Sequence, residues 1–307
     1  MIYLITGSNG LLGQKLLKKL IDSNCEVIAT SKGINRNSES KSYLYESLDI
    51  TDKDQVNRVL NIYKPNVIIN TAAMTNVDLC EDEMANCDKL NTFSVGYLAD
   101  AALDIDAHLI HISTDFIFDG KKDLYNEEDS PNPLSYYGKS KLEAERLLYN
   151  HKCNWSIIRT IVIYGVGKKL NKSNIVLWAK DQLENNNQIN IIDDEFRAIT
   201  FAEDLAQACI SVALKKEYGI FHISGNELMS IYEIVVRIAN FYNFDLSLVK
   251  RIKSAELSQK AKRPYKTGFN LEKAREKLDY SPTSFLESLE IIDEQLLNTN
   301  RLSNDRN

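Results

Sequence analysis

Short runs of apolar residues alternate with longer segments of helical periodicity along the first half of the chain. Runs suited to buried strands lie at 2–6, 26–30, 67–71, 108–113 and 156–159. Between them, apolar residues recur at helical spacing at 11–22, 52–63, 83–103 and 136–149. Such alternation is typical of a parallel sheet that carries helices on both faces. The pattern therefore predicts an α/β protein with a Rossmann-type doubly wound parallel sheet.

Beyond residue 165 the pattern becomes less regular, with Asn-rich and Lys-rich stretches between the elements. Helical periodicity returns at 202–214 and 231–241, and the apolar run at 219–223 is typical of a strand. We therefore predict a dinucleotide-binding Rossmann domain at 1–165, which the chain rejoins at about 200–223. Residues 166–307 are predicted to form mainly a smaller C-terminal substrate-binding lobe.

The composition narrows the classes of partner. A formal charge of −6 is spread over 307 residues, with no dense Lys/Arg block to neutralise nucleic-acid phosphates. No apolar run approaches the roughly 18 residues of a membrane span, and the N-terminal residues lack the pattern of a signal peptide. Five scattered cysteines without a CxxC pair argue against disulfides or a zinc site. We expect a cytoplasmic protein without a nucleic-acid or membrane partner.

Three glycines spaced three residues apart stand where the first predicted strand turns into the first helix. Glycine permits a tight turn and leaves room for phosphate, while the N-terminus of the following helix attracts anions. The spacing is GxxGxxG and differs from the commoner GxGxxG. The turn predicts a dinucleotide cofactor in contact with Gly7, Asn9, Gly10, Leu11, Leu12 and Gly13.

The end of the second predicted strand indicates which dinucleotide binds. An acidic residue there would hold the ribose 2′-hydroxyl of NAD, but Ser31 and Lys32 occupy the position. A hydroxyl and a cation suit the 2′-phosphate of NADP(H), which is therefore the preferred cofactor, with NAD(H) as the alternative. The other interpretation is that Lys32 is a solvated loop lysine without a role in cofactor binding. Asp49, ahead of Ile50, either accepts a hydrogen bond from adenine or caps the helix after Thr51.

Tyr137 and Lys141 lie four residues apart at the start of a predicted helix, so they share one face. An ammonium near a phenol is expected to lower the pKa of the tyrosine. The strand that ends at Ser113 and Thr114 places hydroxyls at the carboxyl edge of the sheet, where such folds bind ligands. YxxxK is common by chance, but with Thr114 and the glycine turn it predicts hydride chemistry at a carbonyl. His111, inside the strand, is interpreted as a core or strand-face residue.

Together these motifs resemble the extended short-chain dehydrogenases, and among them the dTDP-4-dehydrorhamnose reductase family. The resemblance rests first on the glycine turn, on the run STDFIFDG at 113–120, and on Tyr137 with Lys141. Further matching residues cover nearly the whole chain: Asn70, Thr71, Ala72, Ala73, Thr75, Val77, Asp78, Leu90, Asn91, Arg159, Thr160, Arg263 and Pro264.

The resemblance implies transfer of a hydride from NADPH to the C4 ketone of a nucleotide-linked 4-keto-6-deoxysugar. Tyr137 would donate the proton with help from Thr114 and Lys141, and Asp115 would lie beside them. Further cofactor contacts are implied at Ile50, Thr71, Ala72, Ala73, Asn91, Tyr137 and Lys141. Substrate contacts are implied at Met74, Thr75, Val162, Asn174, Arg197 and Arg263. The two arginines suit a nucleotide diphosphate, and a salt bridge is the alternative role of each.

Some positions depart from the reductase pattern. Val162 stands where a tryptophan usually faces the sugar, and Ile199 stands where a proline is usual. Lys15 replaces a glutamate that contributes to a magnesium-linked dimer in some members, so we expect no metal, and a homodimer stays open. The segment 219–233 also resembles the regulatory beta subunit of methionine adenosyltransferase. The alternatives are therefore a non-catalytic NADP-binding regulatory subunit, or an NAD-dependent sugar-nucleotide epimerase or dehydratase.

Overall fold

A computed structural model describes residues 1–37, 42–170 and 173–304, with side chains up to residue 298. In chain order the strands are β1 (Ile2–Thr6), β2 (Glu26–Ser31), β3 (Leu44–Ser47), β4 (Val67–Asn70), β5 (His108–Thr114), β6 (Asn154–Thr160), β7 (Ile163–Tyr164), β8 (Ile189–Ile192), β9 (Phe196–Arg197), β10 (Thr200–Phe201), β11 (Gly219–Ile223), β12 (Met229–Ser230), β13 (Val249–Ile252) and β14 (Lys266–Thr267). The helices are α1 (Leu11–Asp22), α2 (Lys53–Tyr63), α3 (Val77–Asp82), α4 (Met84–Asp88), α5 (Ser94–Asp104), α6 (Tyr136–Tyr149), α7 (Ile175–Glu184), α8 (Ala202–Lys215), α9 (Ile231–Phe241), α10 (Glu272–Leu278) and α11 (Phe285–Asn304).

Within the described residues, seven parallel strands form the central sheet in the order β11-β6-β5-β4-β1-β2-β3. The chain leaves β1 toward β2 on one side and later returns to β4 on the other, so a crevice lies at the carboxyl ends of β1 and β4. Tyr3, Leu4 and Ile5 of β1 are buried on both faces, which explains their continuous apolar run. The predicted Rossmann-type doubly wound sheet is confirmed.

Helices cover both faces of this sheet. On one face α1 packs against α8, and Leu16 and Leu205 are buried there. On the other face α2 packs against α5, and Leu60 and Leu98 are buried. Each buried leucine contributes about 1.5–3 kcal/mol, so the two apolar layers hold the carboxyl edge of the sheet in place.

The chain after β6 builds a smaller lobe with its own apolar core. Leu183 of α7, Ile191 of β8, Ile234 of α9 and Leu289 of α11 are buried together there. From this lobe the chain returns to the sheet, where α8 packs on α1 and β11 pairs with β6. The sequence pattern does not predict α7, α10 or α11. Asparagines bracket α7 and obscure its period, and α10 spans only seven residues.

The prediction of one continuous helix at 83–103 is wrong. The segment is divided into α4, a π-helical segment at Lys89–Phe93, and α5. Asn91 in the π-helical segment is buried, and its amide exchanges two hydrogen bonds with the Met74 backbone, at 2.8 and 3.1 Å. A π-helix inserts an extra residue in a turn. The inserted residue turns Asn91 toward the loop that contains Met74. The spacing of apolar residues in the sequence does not predict this contact.

Lys15 forms an ion pair inside the chain. Its Nζ lies 2.8 Å from Glu203 Oε1 and donates to Gln295 Oε1 at 2.9 Å. This position therefore joins α1, α8 and α11.

Among the described residues, no group of three or more His, Cys, Asp or Glu side chains is arranged to hold a metal ion. Every helix in the same part of the chain is too short or too polar to span a bilayer.

Candidate active site

The glycine turn joins β1 to α1 and leaves the N-terminus of that helix open. Gly10 is the N-cap, and within the described residues no side chain caps α1. Uncapped N–H groups at a helix N-terminus attract anions. Gly7 has a φ of +66°, and a Cβ on Gly13 would lie 2.5 Å from the Gly7 carbonyl oxygen. The turn thus requires glycine, and its form fits a pyrophosphate.

The end of β2 places Ser31 and Lys32 beside the glycine turn. Ser31 Oγ accepts a hydrogen bond from the Asn9 backbone N–H at 3.1 Å. The Lys32 side chain is 81% exposed, and its Nζ lies 2.7 Å from Asp49 Oδ2. Burial opposes ionisation of Asp49, but hydrogen bonds from Lys32 and Thr51 lower its pKa to about 2. Asp49 therefore bonds Thr51 and orients Lys32, but the helix-capping alternative is wrong, because Asp52 is the N-cap of α2.

Sequence reasoning missed Arg36, which follows β2 by five residues. Its backbone N–H donates to Asn9 Oδ1 at 2.9 Å, and its guanidinium donates to the Lys169 carbonyl at 3.4 Å. This loop is therefore attached to the glycine turn. The available signal is a second cation shortly after β2.

The loop after β4 closes the other side of the glycine turn. Thr71 Oγ1 donates to the Thr6 carbonyl at 2.7 Å. A Cβ on Gly7 would lie 2.8 Å from Thr71 Oγ1 and 2.9 Å from the Ala72 nitrogen. Thr71 and Ala72 thus border the turn, and Ala73 continues the loop toward Met74.

Several predicted cofactor positions have side chains that face the protein interior. Leu12 and Ile50 are buried in the two apolar layers of the sheet, so only their backbones can face a ligand. Asn91 lies behind the site: besides Met74, its Nδ2 contacts Ser140 Oγ at 3.1 Å. This corrects the expectation for Asn91, whose amide positions the Met74 loop against α6. Met74 is half-buried and Thr75 is exposed.

Tyr137 lies in the first turn of α6, and its side chain lies beside Thr114 at the end of β5. Ser135 caps the helix by accepting a hydrogen bond from the Gly138 N–H at 3.2 Å. A Cβ on Gly138 would overlap the Phe116 carbonyl oxygen. Glycine at this position lets α6 pack directly on the turn after β5, and this packing sets Tyr137 beside Thr114.

The expectation that Lys141 lowers the pKa of Tyr137 is wrong. Burial raises the pKa of Tyr137, the neighbouring Thr114 hydroxyl opposes the rise, and the Asp115 carboxyl adds to it. Lys141 is turned toward β5, where its Nζ donates to the Ile112 carbonyl at 2.6 Å. Tyr137 therefore keeps its proton at neutral pH and can act as an acid.

The pKa of Lys141 lies well below its usual value. Burial lowers its pKa to about 8, and the charges of Glu145 and Cys87 partly offset the effect. Its Nζ also lies 3.0 Å from His111 Nε2. Lys141 is thus a buried cation that loses its proton just above neutral pH.

Asp115 and Arg197 meet in a buried cluster between the sheet and the smaller lobe. Asp115 accepts hydrogen bonds from Thr114 at 3.1 Å and from Thr267 at 2.6 Å, and Arg197 Nε lies 3.9 Å from its Oδ2. Burial raises the pKa of Asp115, and Arg197 opposes the rise. The Arg197 side chain is 3% exposed. Its other donors bond Glu195 and the carbonyls of Phe196, Pro264 and Tyr265.

These bonds correct the expectation for Arg197, whose guanidinium joins the lobe to the sheet and is not presented to a diphosphate. Arg263 forms the salt bridge that was its alternative role, with Nη2 2.7 Å from Asp78 Oδ2. Asp78 also accepts a hydrogen bond from the Ala261 N–H at 3.0 Å. The pair attaches the segment 261–263 to α3. The Arg263 side chain is 17% exposed, so it stays a candidate for substrate contact.

Val162 and Asn174 lie where the chain enters the smaller lobe. Val162 has a φ of +30°, which a β-branched residue rarely adopts, and its carbonyl accepts from the Thr200 N–H at 3.1 Å. Strain of this kind is found preferentially at functional sites. Asn174 caps α7 through the Leu177 N–H, and its Nδ2 donates to the Gly165 carbonyl at 2.7 Å.

The RmlD substrate-binding domain family matches residues 1–297. The chain belongs to this family. The predicted resemblance to the dTDP-4-dehydrorhamnose reductase family is confirmed by a reductase of that name from Aggregatibacter actinomycetemcomitans, which is 34% identical over 94% of this chain and 97% of its own. Methionine adenosyltransferase 2 subunit beta of Rattus norvegicus is 33% identical over 81% of this chain and 74% of its own.

Solved members of the family share the whole fold. A dTDP-4-dehydrorhamnose reductase from Clostridium acetobutylicum has a TM-score of 0.85 at 32% identity, covering 97% of this chain and 100% of its own. The Bacillus anthracis reductase, solved in complex with NADP, has a TM-score of 0.84 at 25% identity, covering 96% and 99%. The family's architecture therefore extends over both the sheet and the smaller lobe of this chain.

Proposed function

We propose that the protein is an oxidoreductase that uses NADPH to reduce the C4 ketone of a nucleotide-linked 4-keto-6-deoxysugar. The observation that carries this function is the buried Tyr137 side chain beside Thr114, at the same sheet edge as the glycine turn. Relatives that are dTDP-4-dehydrorhamnose reductases, one of them solved with NADP, support the reaction and the cofactor. NADP(H) is the preferred cofactor, and NAD(H) is the alternative.

The cofactor is assigned to the carboxyl edge of the central sheet. The domain that contains this sheet consists of residues 1–165 together with α8 and β11. The glycine turn and the α1 N-terminus hold the pyrophosphate, and Ser31 and Lys32 hold the 2′-phosphate with Asp49 orienting the lysine. NADPH, when bound, supplies the hydride. The residues 166–307 contribute mainly to binding of the sugar nucleotide, for which Val162, Asn174 and Arg263 are candidates with Met74 and Thr75 from the β4 loop.

The side chains of this chain supply the proton and the positioning. Tyr137 donates its proton to the oxygen of the reacting carbonyl, and Thr114 orients that hydroxyl. Asp115 positions Thr114 through their 3.1 Å hydrogen bond. The Lys141 ammonium, held by the Ile112 carbonyl and His111, would hold hydroxyls of the nicotinamide ribose with its remaining N–H donor.

The function is tested by supplying NADPH with 4-keto-6-deoxysugars linked to dTDP, GDP, UDP or CDP and following the loss of NADPH absorbance and the sugar product together. NADPH consumed in equal amount to product supports the reductase. Product formed without net NADPH consumption indicates an epimerase or a dehydratase and contradicts it.

A regulatory subunit is the second candidate, because a methionine adenosyltransferase subunit is 33% identical over 81% of this chain. NADPH binding without turnover of any sugar nucleotide would favour it. A homodimer and a cytoplasmic location are further proposals, which size-exclusion chromatography with light scattering and cell fractionation would test.

Reductase activity is expected to fall as the pH rises through about 8. Burial lowers the pKa of Lys141 to about 8, so its ammonium is present below that pH and is lost above it. Burial raises the pKa of Tyr137, so the phenol keeps its proton over the same range. The measurement is kcat/KM for NADPH oxidation against pH at constant ionic strength. A rate that stays constant well above pH 8 would contradict the role given to the ammonium.

Lys32→Glu is expected to weaken binding of NADPH relative to NADH by about tenfold or more. The variant places a negative charge beside the 2′-phosphate and removes the lysine cation that Asp49 orients. The measurement is Kd for each cofactor by fluorescence titration. Lys53→Glu is the control, because Lys53 is also an exposed lysine paired with an aspartate, Asp100 at 3.1 Å, but lies on α2. An unchanged NADPH/NADH ratio in the Lys32 variant means that the 2′-phosphate is bound elsewhere.

A further inference from the structure

A row of polar side chains crosses the three central strands at one level of the sheet. Thr6 of β1 is paired in register with Asn70 of β4, and Asn70 is paired with His111 of β5. Thr6 Oγ1 lies 2.6 Å from Asn70 Oδ1, and Asn70 Nδ2 lies 3.1 Å from His111 Nδ1. His111 Nε2 in turn lies 3.0 Å from Lys141 Nζ. The row therefore ends on the lysine of the proposed active site.

Each member of this row is buried. A buried polar group is costly unless it is hydrogen-bonded, and a leucine would fill the place of His111 in the sheet without that cost. Burial also lowers the pKa of His111 well below its usual value, so the ring is neutral. A neutral imidazole has one donor nitrogen and one acceptor nitrogen. His111 can therefore accept from Lys141 only through Nε2, with the ring proton on Nδ1.

The Asn70 amide and the Thr6 hydroxyl can support that tautomer. An Nδ1–H donor needs an oxygen acceptor, which Asn70 provides when its amide is turned over, so that the oxygen and not Nδ2 faces the ring. The Thr6 hydroxyl can accept from the amide nitrogen as readily as it can donate to the oxygen. The row is thus able to hold the ring with a free Nε2 lone pair directed at Lys141.

We infer that His111 is a positioning residue for the proposed reductase: its Nε2 accepts a hydrogen bond from Lys141, fixes the direction of the ammonium and favours its charged form. The inference rests on the proposed function and assigns to His111 a role in the reaction. Among the described residues, Ile112 and His111 engage two of the three N–H donors of Lys141. The third donor is thereby directed away from β5, toward the site.

The sign of the effect on pH dependence follows from the groups around Lys141. These are His111 and the Ile112 carbonyl on β5, Glu145 one turn along α6, and Cys87 on α4. Glu145 and Cys87 favour the ammonium by charge and are unaffected by a change at residue 111. Removal of the Nε2 acceptor withdraws a hydrogen bond that is stronger with the ammonium than with the neutral amine, which lowers the pKa of Lys141.

The test compares His111→Leu, which has no acceptor, with His111→Gln, whose amide oxygen can take the place of Nε2. His111→Leu is expected to lower kcat by about tenfold or more and to move the alkaline limb of the pH profile down by about one unit. His111→Gln is expected to restore most of both. The control is His108→Leu, because His108 is a buried histidine on the same strand that bonds Ser156 at 2.7 Å, away from Lys141.

The same comparison is made for NADPH affinity against pH without any sugar, so it remains decisive if the sugar reaction itself is not found. A downward shift of the alkaline limb in His111→Leu alone supports the inference. An unshifted limb, or equal damage in the Leu and Gln variants, overturns it and gives His111 a structural role. If His111→Leu does not fold, Asn70→Ala is used, and it must shift the limb in the same direction by a smaller amount or the inference fails.

Discussion

Tyr137→Phe is expected to lower kcat by about 100- to 10,000-fold, because it removes the proton donor and leaves the aromatic ring in place. The affinity for NADPH is expected to stay nearly unchanged, since the proposed contacts to the cofactor's phosphates come from the glycine turn and the β2 loop. The buried phenol has a raised pKa, so the wild-type donor is fully protonated at neutral pH. The measurements are steady-state kcat with the sugar nucleotide and NADPH Kd by fluorescence.

Tyr136→Phe is the matched control for this variant. Tyr136 is the preceding residue on α6, but its hydroxyl donates to Asp88 at 2.6 Å. Loss of that bond is expected to cost some stability and little turnover. Wild-type turnover in Tyr137→Phe, or an equal loss in Tyr136→Phe, would remove the basis for Tyr137 as the acid.

Lys141→Ala is expected to damage both turnover and cofactor affinity, with kcat reduced by about 100-fold or more and NADPH Kd raised by about tenfold. The variant removes a buried cation whose Nζ donates to the Ile112 carbonyl at 2.6 Å and leaves that carbonyl without its donor. The alkaline fall of the pH profile near pH 8 is expected to disappear with the titrating group.

Lys139→Ala is the control for the lysine, because Lys139 lies on the same helix and is exposed. It is expected to behave as the wild type in all three measurements. Thermal unfolding of both variants separates loss of the cation from loss of the fold. A Lys141→Ala protein that keeps the alkaline fall would show that another group causes it.

The residues that local spacing predicts are those whose role is set within one turn of chain. Gly7, Gly10 and Gly13 are recognisable because the strand-to-helix turn admits only glycine there, as the 2.5 Å approach of a Cβ on Gly13 shows. Tyr137 and Lys141 are recognisable because a four-residue interval places both on one face of α6. Such patterns are short and independent of the rest of the fold.

The roles of Arg197 and Asn91 depended on contacts between segments far apart in sequence. Arg197 is a plausible phosphate ligand by residue type, but Asp115 and the carbonyls of the segment 264–265 surround its guanidinium. Asn91 is turned inward by a π-helical segment, where the spacing of apolar residues predicts an ordinary α-helix. Neither contact leaves a signal at the position itself, because the partners lie on other elements.

His111 and Lys141 show the same division within the proposed site. The alternation of apolar runs determined the doubly wound sheet, the glycine spacing determined the turn, and YxxxK determined which face of α6 carries Tyr137 and Lys141. Only the tertiary structure decided the surroundings: burial that raises the pKa of Tyr137 and lowers that of Lys141 to about 8, and the cross-strand row that ends at His111. A side chain's charge and hydrogen bonds depend on the dielectric and the partners around it, and strands far apart in sequence provide both.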